Sequence, residues 1–178
     1  MIDLTNTLID LYTPRERTIG RYNSSDLFGI VRGWVSPEEY LFGRKVDAVG
    51  AYRMWQGKWK HEQIQELLRK IGYTCEEKVE YEFNGLTLVG KVDARKVDHI
   101  LEIKTSELVM DKAKESARYQ ARLYVNLFQV KKGYVVQPIV KSNRLLLKYL
   151  GEVKPDDEWF QEQLKLLEIF HNRLTKIV

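Results

Sequence analysis

The sequence predicts an α/β protein in which a mixed central β-sheet is flanked by helices. Three observations carry that expectation. A helix with an apolar stripe precedes three strands joined by tight turns. A second amphipathic helix follows them, and a further hairpin leads into a last amphipathic helix. With 178 residues and 44% apolar content, the chain is long enough to bury one proper core.

Residues 1–60 read as short helical pieces broken by Pro14, Gly20, Gly33, Pro37, Gly43 and Gly57. From 60 to 71 the signal sharpens. Ile64, Leu67, Leu68 and Ile71 recur at helical spacing, and Gly72 closes the helix. Residues 73–83 alternate and are rich in aromatic and β-branched side chains, and Asn84-Gly85 is a two-residue hairpin signal. Segments 86–94 and 99–105 supply the next two strands. A helix is predicted over 107–129, ended by Lys131-Lys132-Gly133. Segments 134–140 and 145–150 form a hairpin around Lys141-Ser142-Asn143-Arg144. Pro155-Asp156-Asp157 then opens a last helix carrying Trp159, Phe160, Leu164, Leu167 and Phe170.

Composition narrows the functional classes. Net charge is +4 and the pI is near 9.0, values compatible with a nucleic-acid partner but too mild to require one. The one cysteine, Cys75, excludes an internal disulfide framework and an all-cysteine metal or iron–sulfur site. The N-terminal residues lack the positive charge and apolar run of a signal peptide, and no apolar segment has the length of a membrane span. The expectation is a soluble, cytoplasmic protein.

The chemistry concentrates between positions 85 and 104. Side chains alternate along a strand, so Glu102 and Lys104 share a face while Ile103 points to the core. A turn centred between Val97 and Asp98 sets Asp93 across from Glu102 on the same face. Carboxylate oxygens are the ligands Mg²⁺ and Mn²⁺ prefer, and an adjacent ammonium suits a phosphate. Ile100, Leu101 and Ile103 make that strand apolar on both faces, hence central, where unpaired charge is costly. The arrangement suits a metal-dependent phosphodiesterase. His61 lies one turn before Ile64 on the buried stripe of its helix, and two readings stand open: a hydrogen-bonded core histidine or a third metal ligand. Gln120 and Tyr124 share the face of the 107–129 helix marked by Ala113, Ala117, Ala121, Val125 and Phe128. They either satisfy backbone groups or line the site. Arg15, Arg17, Arg21, Arg32, Arg44 and Arg53, with Trp34, Trp55 and Trp59, could contact a nucleic-acid backbone and stack on bases, or serve as surface and core. Asp111 to Glu115 reads as a mixed-sign helix surface.

The run Gly57-x-x-x-His61-Glu62, Gly90-x-x-Asp93, Glu102-Ile103-Lys104-Thr105 and Gln120-x-x-x-Tyr124 resembles the motif series of the RecB-type nucleases of the PD-(D/E)xK superfamily. Ser24-Ser25 is similar to a weaker N-terminal serine motif of that group. The resemblance implies a restriction-endonuclease-like fold and one nuclease domain over 1–178: an N-terminal helical part (1–56), a catalytic core (57–150) and a C-terminal helix (156–177). It further implies that His61, Asp93, Glu102 and the Ile103 carbonyl bind Mg²⁺ or Mn²⁺. Lys104 would position or activate water and stabilise phosphate charge, while Gln120 and Tyr124 shape the site. The size and motif order are similar to those of CRISPR-associated RecB-like exonucleases, which carry four cysteines for an iron–sulfur cluster. With Cys75 alone, no such cluster is expected here. The function implied is a metal-dependent deoxyribonuclease, an exonuclease on single-stranded or end-containing DNA. The alternatives are a non-catalytic DNA-binding or assembly module, or an endonuclease on RNA or branched DNA. Phe160 and Phe170, on one side of the last helix, could serve a homodimer.

Overall fold

The computed structural model describes residues 2–13, 17–43, 46–106 and 108–177, and Pro14, Arg15, Arg44 and Glu107 lie outside them. Three short helices, α1 (Thr5–Tyr12), α2 (Ser24–Val31) and α3 (Pro37–Phe42), accompany the three-residue strand β1 (Arg21–Asn23). A long helix α4 (Ala48–Lys70) leads into β2 (Thr74–Phe83), β3 (Leu86–Lys96) and β4 (His99–Ile103). Then come α5 (Glu115–Leu127), β5 (Lys132–Lys141), β6 (Arg144–Val153) and α6 (Asp157–Leu174). The strands form one mixed sheet ordered β1-β3-β4-β5-β6, with β2 paired to β3. The fold is the expected α/β arrangement, a restriction-endonuclease-like mixed sheet flanked by helices. No helix among the described residues is long and apolar enough to cross a membrane.

Most of the core lies on the α5 side of the sheet. There Ala117, Ala121, Val125 and Leu127 meet Leu88, Val92, Ile100 and Val135, with Phe160, Leu164, Leu167 and Phe170 of α6 behind them. Gly90 and Gly133 allow the close approach of α5. A Cβ at Gly90 would lie 2.9 Å from Leu127 Cδ1, and one at Gly133 would lie 2.6 Å from Val125 Cγ2. A smaller cluster on the other side joins Leu68 of α4 to Ala94, Leu101, Ile103 and Val136.

Several elements differ from expectation for identifiable reasons. Gly57 does not break a helix; α4 runs through it, since one interior glycine costs only about 1 kcal/mol and Asp47 caps the start by accepting from Gly50 N at 2.7 Å. Its first half carries no clean apolar stripe because Val49, Tyr52, Met54, Trp55 and Trp59 are exposed. The helix therefore straddles the expected boundary at position 57. Pro37 starts α3 rather than ending a helix, as N1 of a Ser36/Glu39 capping box. Helix α5 begins at Glu115, so the Asp111–Lys114 stretch and Ala113 precede it. Residues 108–114 form a strap held instead by the sheet. Gln137, buried on β5, accepts from Met110 N at 2.8 Å and donates to Leu108 O at 2.7 Å, and Ala113 N donates to Leu150 O at 3.0 Å. Phe160 and Phe170 are buried in the chain's own core and present no dimer face.

Candidate active site

The site is built where the sheet forks. Strand β2 pairs with one edge of β3 along its length, while β1 pairs with the other edge at Thr87–Val89 and β4 at Ala94–Lys96. Among the described residues, 90–93 have no strand partner on that second edge. The β3–β4 register centres on Val97-Asp98 as expected, but the ladder stops at Ala94↔Leu101. Beyond it, the Asp93 carboxylate takes the place of a backbone group: Ile103 N donates to Asp93 Oδ2 at 2.7 Å. The alternation of β3 also breaks here. Val92 packs in the α5-side cluster, and Ala94 in the α4-side cluster. Asp93 is thus turned into the gap rather than standing on Glu102's face as a simple cross-strand neighbour.

Opposite Asp93, Glu76 is skipped between the pairs Cys75↔Ala94 and Glu77↔Val92, and it adopts φ 61°. A left-handed conformation at a non-glycine residue costs on the order of 1–3 kcal/mol and persists only where its surroundings impose it. Gln65, buried one turn after His61, imposes it. Its Nε2 donates to Glu76 Oε1 at 2.7 Å and to Asp93 O at 3.0 Å, and Lys91 pairs with the other Glu76 oxygen. The sequence reading missed Gln65, Glu76 and Lys91. Gln65 shares the face of His61, a signal that was available; the backbone flip at Glu76 leaves no sequence mark.

The fork brings the candidate residues together. His61 Nε2 donates to Ile103 O at 2.7 Å, and its Nδ1 stands 3.6 Å from Asp93 Oδ1. Lys104 Nζ donates to Glu102 Oε1 at 2.5 Å, and Lys104 N extends the sheet by donating to Val136 O at 2.8 Å. Glu102 is 2% exposed, and its Oε2 has no hydrogen-bond partner among the described residues. Across the gap, Gln120 Nε2 donates to Tyr124 Oη at 2.8 Å. The buried Ser24 lines one cleft with these two side chains. This cleft, of about 770 Å³, runs over the fork between α4 and α5, lined by Ser24, Lys58, His61, Asp93, Gln120 and Tyr124 among others. A larger hollow elsewhere, lined by Arg118, Arg122, Trp159 and neighbours, lacks this convergence.

Electrostatics follow from burial. Desolvation raises Glu102 well above the carboxylate range, and the neighbouring Asp93 adds to it. Burial also raises Asp93, against the opposing bond from Ile103 N–H. Burial lowers His61, favouring the neutral imidazole, although the Ile103 carbonyl and Glu102 pull the other way. Burial alone would lower Lys104, but the Glu102 carboxylate outweighs it and keeps the ammonium protonated. Among the described residues, no three His, Cys, Asp or Glu side chains stand arranged as a finished metal cage. Each candidate is engaged locally: Asp93 and His61 on the Ile103 backbone, Glu102 on Lys104.

No protein-family profile matches the sequence, and no curated protein is similar enough by sequence to show kinship. Solved structures do share the fold. SSO0001 superposes with a TM-score of 0.67 at 20% identity, covering 94% of this chain and 83% of its own. An alkaline exonuclease from Laribacter hongkongensis, LHK-Exo, gives 0.62 at 12% identity, covering 97% and 93%; it has also been solved in complex with dAMP. A phage-related exonuclease from Haemophilus somnus 129PT gives 0.55 at 13% identity, covering 95% and 98%. At these identities the likeness is one of fold.

The remaining histidines are structural. His99 bonds Tyr73 Oη at 3.0 Å and Asp98 at 2.8 Å, and His171 bonds Tyr22 Oη at 2.8 Å. Cys75 is half-buried and points its thiol to Gln65 O at 3.5 Å.

Proposed function

We propose that this chain is a divalent-metal-dependent deoxyribonuclease that hydrolyses phosphodiester bonds at the β3–β4 fork, acting as an exonuclease on single-stranded or end-containing DNA. The observation that carries the reading is Glu102 Oε2, a buried carboxyl oxygen left without a partner among the described residues, beside Asp93 and Lys104. An orphaned buried acceptor costs about 1–3 kcal/mol, more when charged, and a hard cation is the partner its chemistry suits. Two further observations support the fit. His61 Nε2 is bonded to Ile103 O, so its neutral Nδ1 turns a lone pair toward Asp93 Oδ1 at 3.6 Å. That is too long for a hydrogen bond, yet less than twice the roughly 2.1 Å bond of Mg²⁺ to its ligands. The fold shared with two proteins named as exonucleases agrees.

In this reading Asp93, Glu102, His61 and the Ile103 carbonyl hold Mg²⁺ or Mn²⁺, with His61 or Ile103 released from their mutual bond. When bound, the ion would act as a Lewis acid on the scissile phosphate. Lys104, held protonated by Glu102, places an ammonium against the phosphate as negative charge builds on its oxygens. It serves as a charge stabiliser rather than a base. Water attacks phosphorus and gives up a proton to solvent, the P–O bond to the leaving sugar oxygen breaks, and that oxygen takes up a proton in turn. Tyr124 and Gln120 orient the strand from the α5 wall. Burial raises the Tyr124 phenol, so it stays a neutral donor at working pH.

The test uses end-labelled linear and circular DNA, single- and double-stranded, with Mg²⁺, Mn²⁺ or EDTA. Cleavage is expected with either ion, absent in EDTA, and reduced at least 10²-fold in Lys104→Ala. Tight DNA binding without cleavage under any ion would replace this reading with the non-catalytic module.

A further inference from the structure

From a second feature of α4 we infer a base-stacking track for single-stranded DNA, formed by Tyr52, Trp55 and Trp59 and leading into the cleft; the inference rests on the nuclease reading for the strand's destination. These three large rings are 49%, 46% and 55% exposed. At about 100° per residue they fall within an arc of roughly 60° on the helix surface. Tyr52 also borders Ile2, Leu4 and Leu8 in a hollow beside α1, so the two indoles are the open part of the arc, and their exposed faces suit a planar occupant. Tyr52 and Trp55 already lie near-parallel, with centroids 5.8 Å apart and planes at 29°, and Gln56 Nε2 donates to Tyr52 Oη at 3.1 Å.

The neighbouring arc of the same helix says what kind of planar occupant fits. Lys58, Glu62 and Arg69 line the cleft there, and His61 and Gln65 come next around the helix. Neither Lys58 nor Arg69 forms an ion pair among the described residues, and Lys78 on the facing strand is equally uncommitted. Flat apolar faces beside uncommitted cations match a strand with exposed bases and a phosphate backbone. A duplex keeps its bases stacked inside and cannot use such a track, so the occupant is an unpaired strand. Residues 52–59 advance about 10 Å along the axis, the length of roughly three stacked nucleotides at 3.4 Å each.

The experiment measures binding of fluorescein-labelled dT15 by anisotropy in EDTA. The comparisons are a dT15 carrying three consecutive abasic positions and a 15-base-pair duplex. Wild type is compared with Trp59→Leu and Trp55→Leu/Trp59→Leu, their fold checked by circular dichroism, since both indoles are exposed. The expected result is quenching of tryptophan fluorescence by dT15, roughly tenfold or greater weakening in each variant, and a comparable loss for the abasic strand. Unchanged affinity in both variants overturns the inference, as does a variant that changes oligomeric mass in sedimentation instead, which assigns the stripe to a second copy of the chain. Cleavage with intact variant binding would sink the track alone. Track-dependent binding without cleavage under any ion would sink the nuclease reading alone.

Discussion

At the scale of single residues, the site is a set of polar groups that compensate one another imperfectly. Glu102 pairs with Lys104 through one oxygen only. Glu102→Gln replaces a buried carboxyl that burial already drives toward its neutral form and leaves the Lys104 ammonium one-third exposed and able to hydrate, so the metal-free protein should unfold at an equal or higher temperature. Saturating Mn²⁺ should raise the melting temperature of wild type by mass action, since ligand at 100 times its Kd adds about 2.7 kcal/mol, and the variant should lose that gain. Thermal melts in EDTA and in Mn²⁺ check both. A variant that unfolds in EDTA would make Glu102 a purely structural residue. Gln65→Leu should act differently, freeing both Glu76 and the Asp93 carbonyl and destabilising the fold by about 1–3 kcal/mol in urea titrations. The contrast shows what the chain revealed beforehand. Asp93 and Glu102 are conspicuous as charges amid apolar strand residues, and His61 as a polar group on the apolar stripe of its helix. Glu76 is not, because its role depends on a backbone angle, and Gln65 differs from the neighbouring Gln63 only in sharing the face of His61.

At the scale of elements, the paired alternation and the turn dipeptides were legible. Asn84 and Gly85 have φ 45° and 75°, and Ser142 and Asn143 have φ 49° and 56°, all left-handed as type I′ hairpin turns require. What failed were helix limits. Periodicity reports burial of a face, so the exposed first half of α4 shows no stripe, while Ala113 in the largely exposed strap before α5 falls in step with Ala117 and Ala121 and extends the apparent helix. Strand β1 was missed because three residues are too short to show a period. Glycines make the element-scale predictions. Gly133→Ala forces a Cβ against Val125 and Ile100 and should cost about 1–3 kcal/mol in chemical denaturation. Gly57 lines the cleft and has nothing within 4 Å of an added Cβ. Gly57→Ala should therefore stabilise the chain by up to about 1 kcal/mol. If the cleft admits a DNA strand at that point, the same methyl should weaken binding while stability rises.

At the scale of the whole molecule, the two ends of the chain are tied through buried aromatic rings. Tyr22 of β1 packs edge-on against Phe170 of α6 at 6.3 Å and tilts against Tyr40 at 5.4 Å, and its hydroxyl meets His171. Burial raises the Tyr22 phenol to about 12, and Tyr40, Tyr119 and Tyr124 are raised in the same direction for the same reason. A folded value above the unfolded one means that the native state holds the proton more tightly. The stabilisation is then complete below the unfolded value near 10 and is lost as pH rises toward 12. Alkaline unfolding should accordingly begin above pH 10 and be cooperative, because each ionised phenolate would be a buried, poorly solvated charge. Tyr22→Phe should lose about 1 kcal/mol at neutral pH with the His171 bond, yet depend less steeply on pH above 10. Urea midpoints at pH 8, 10 and 11 measure both effects. Parallel slopes for wild type and variant would show that Tyr22 does not carry the alkaline response, and would move that role to Tyr40, Tyr119 or Tyr124.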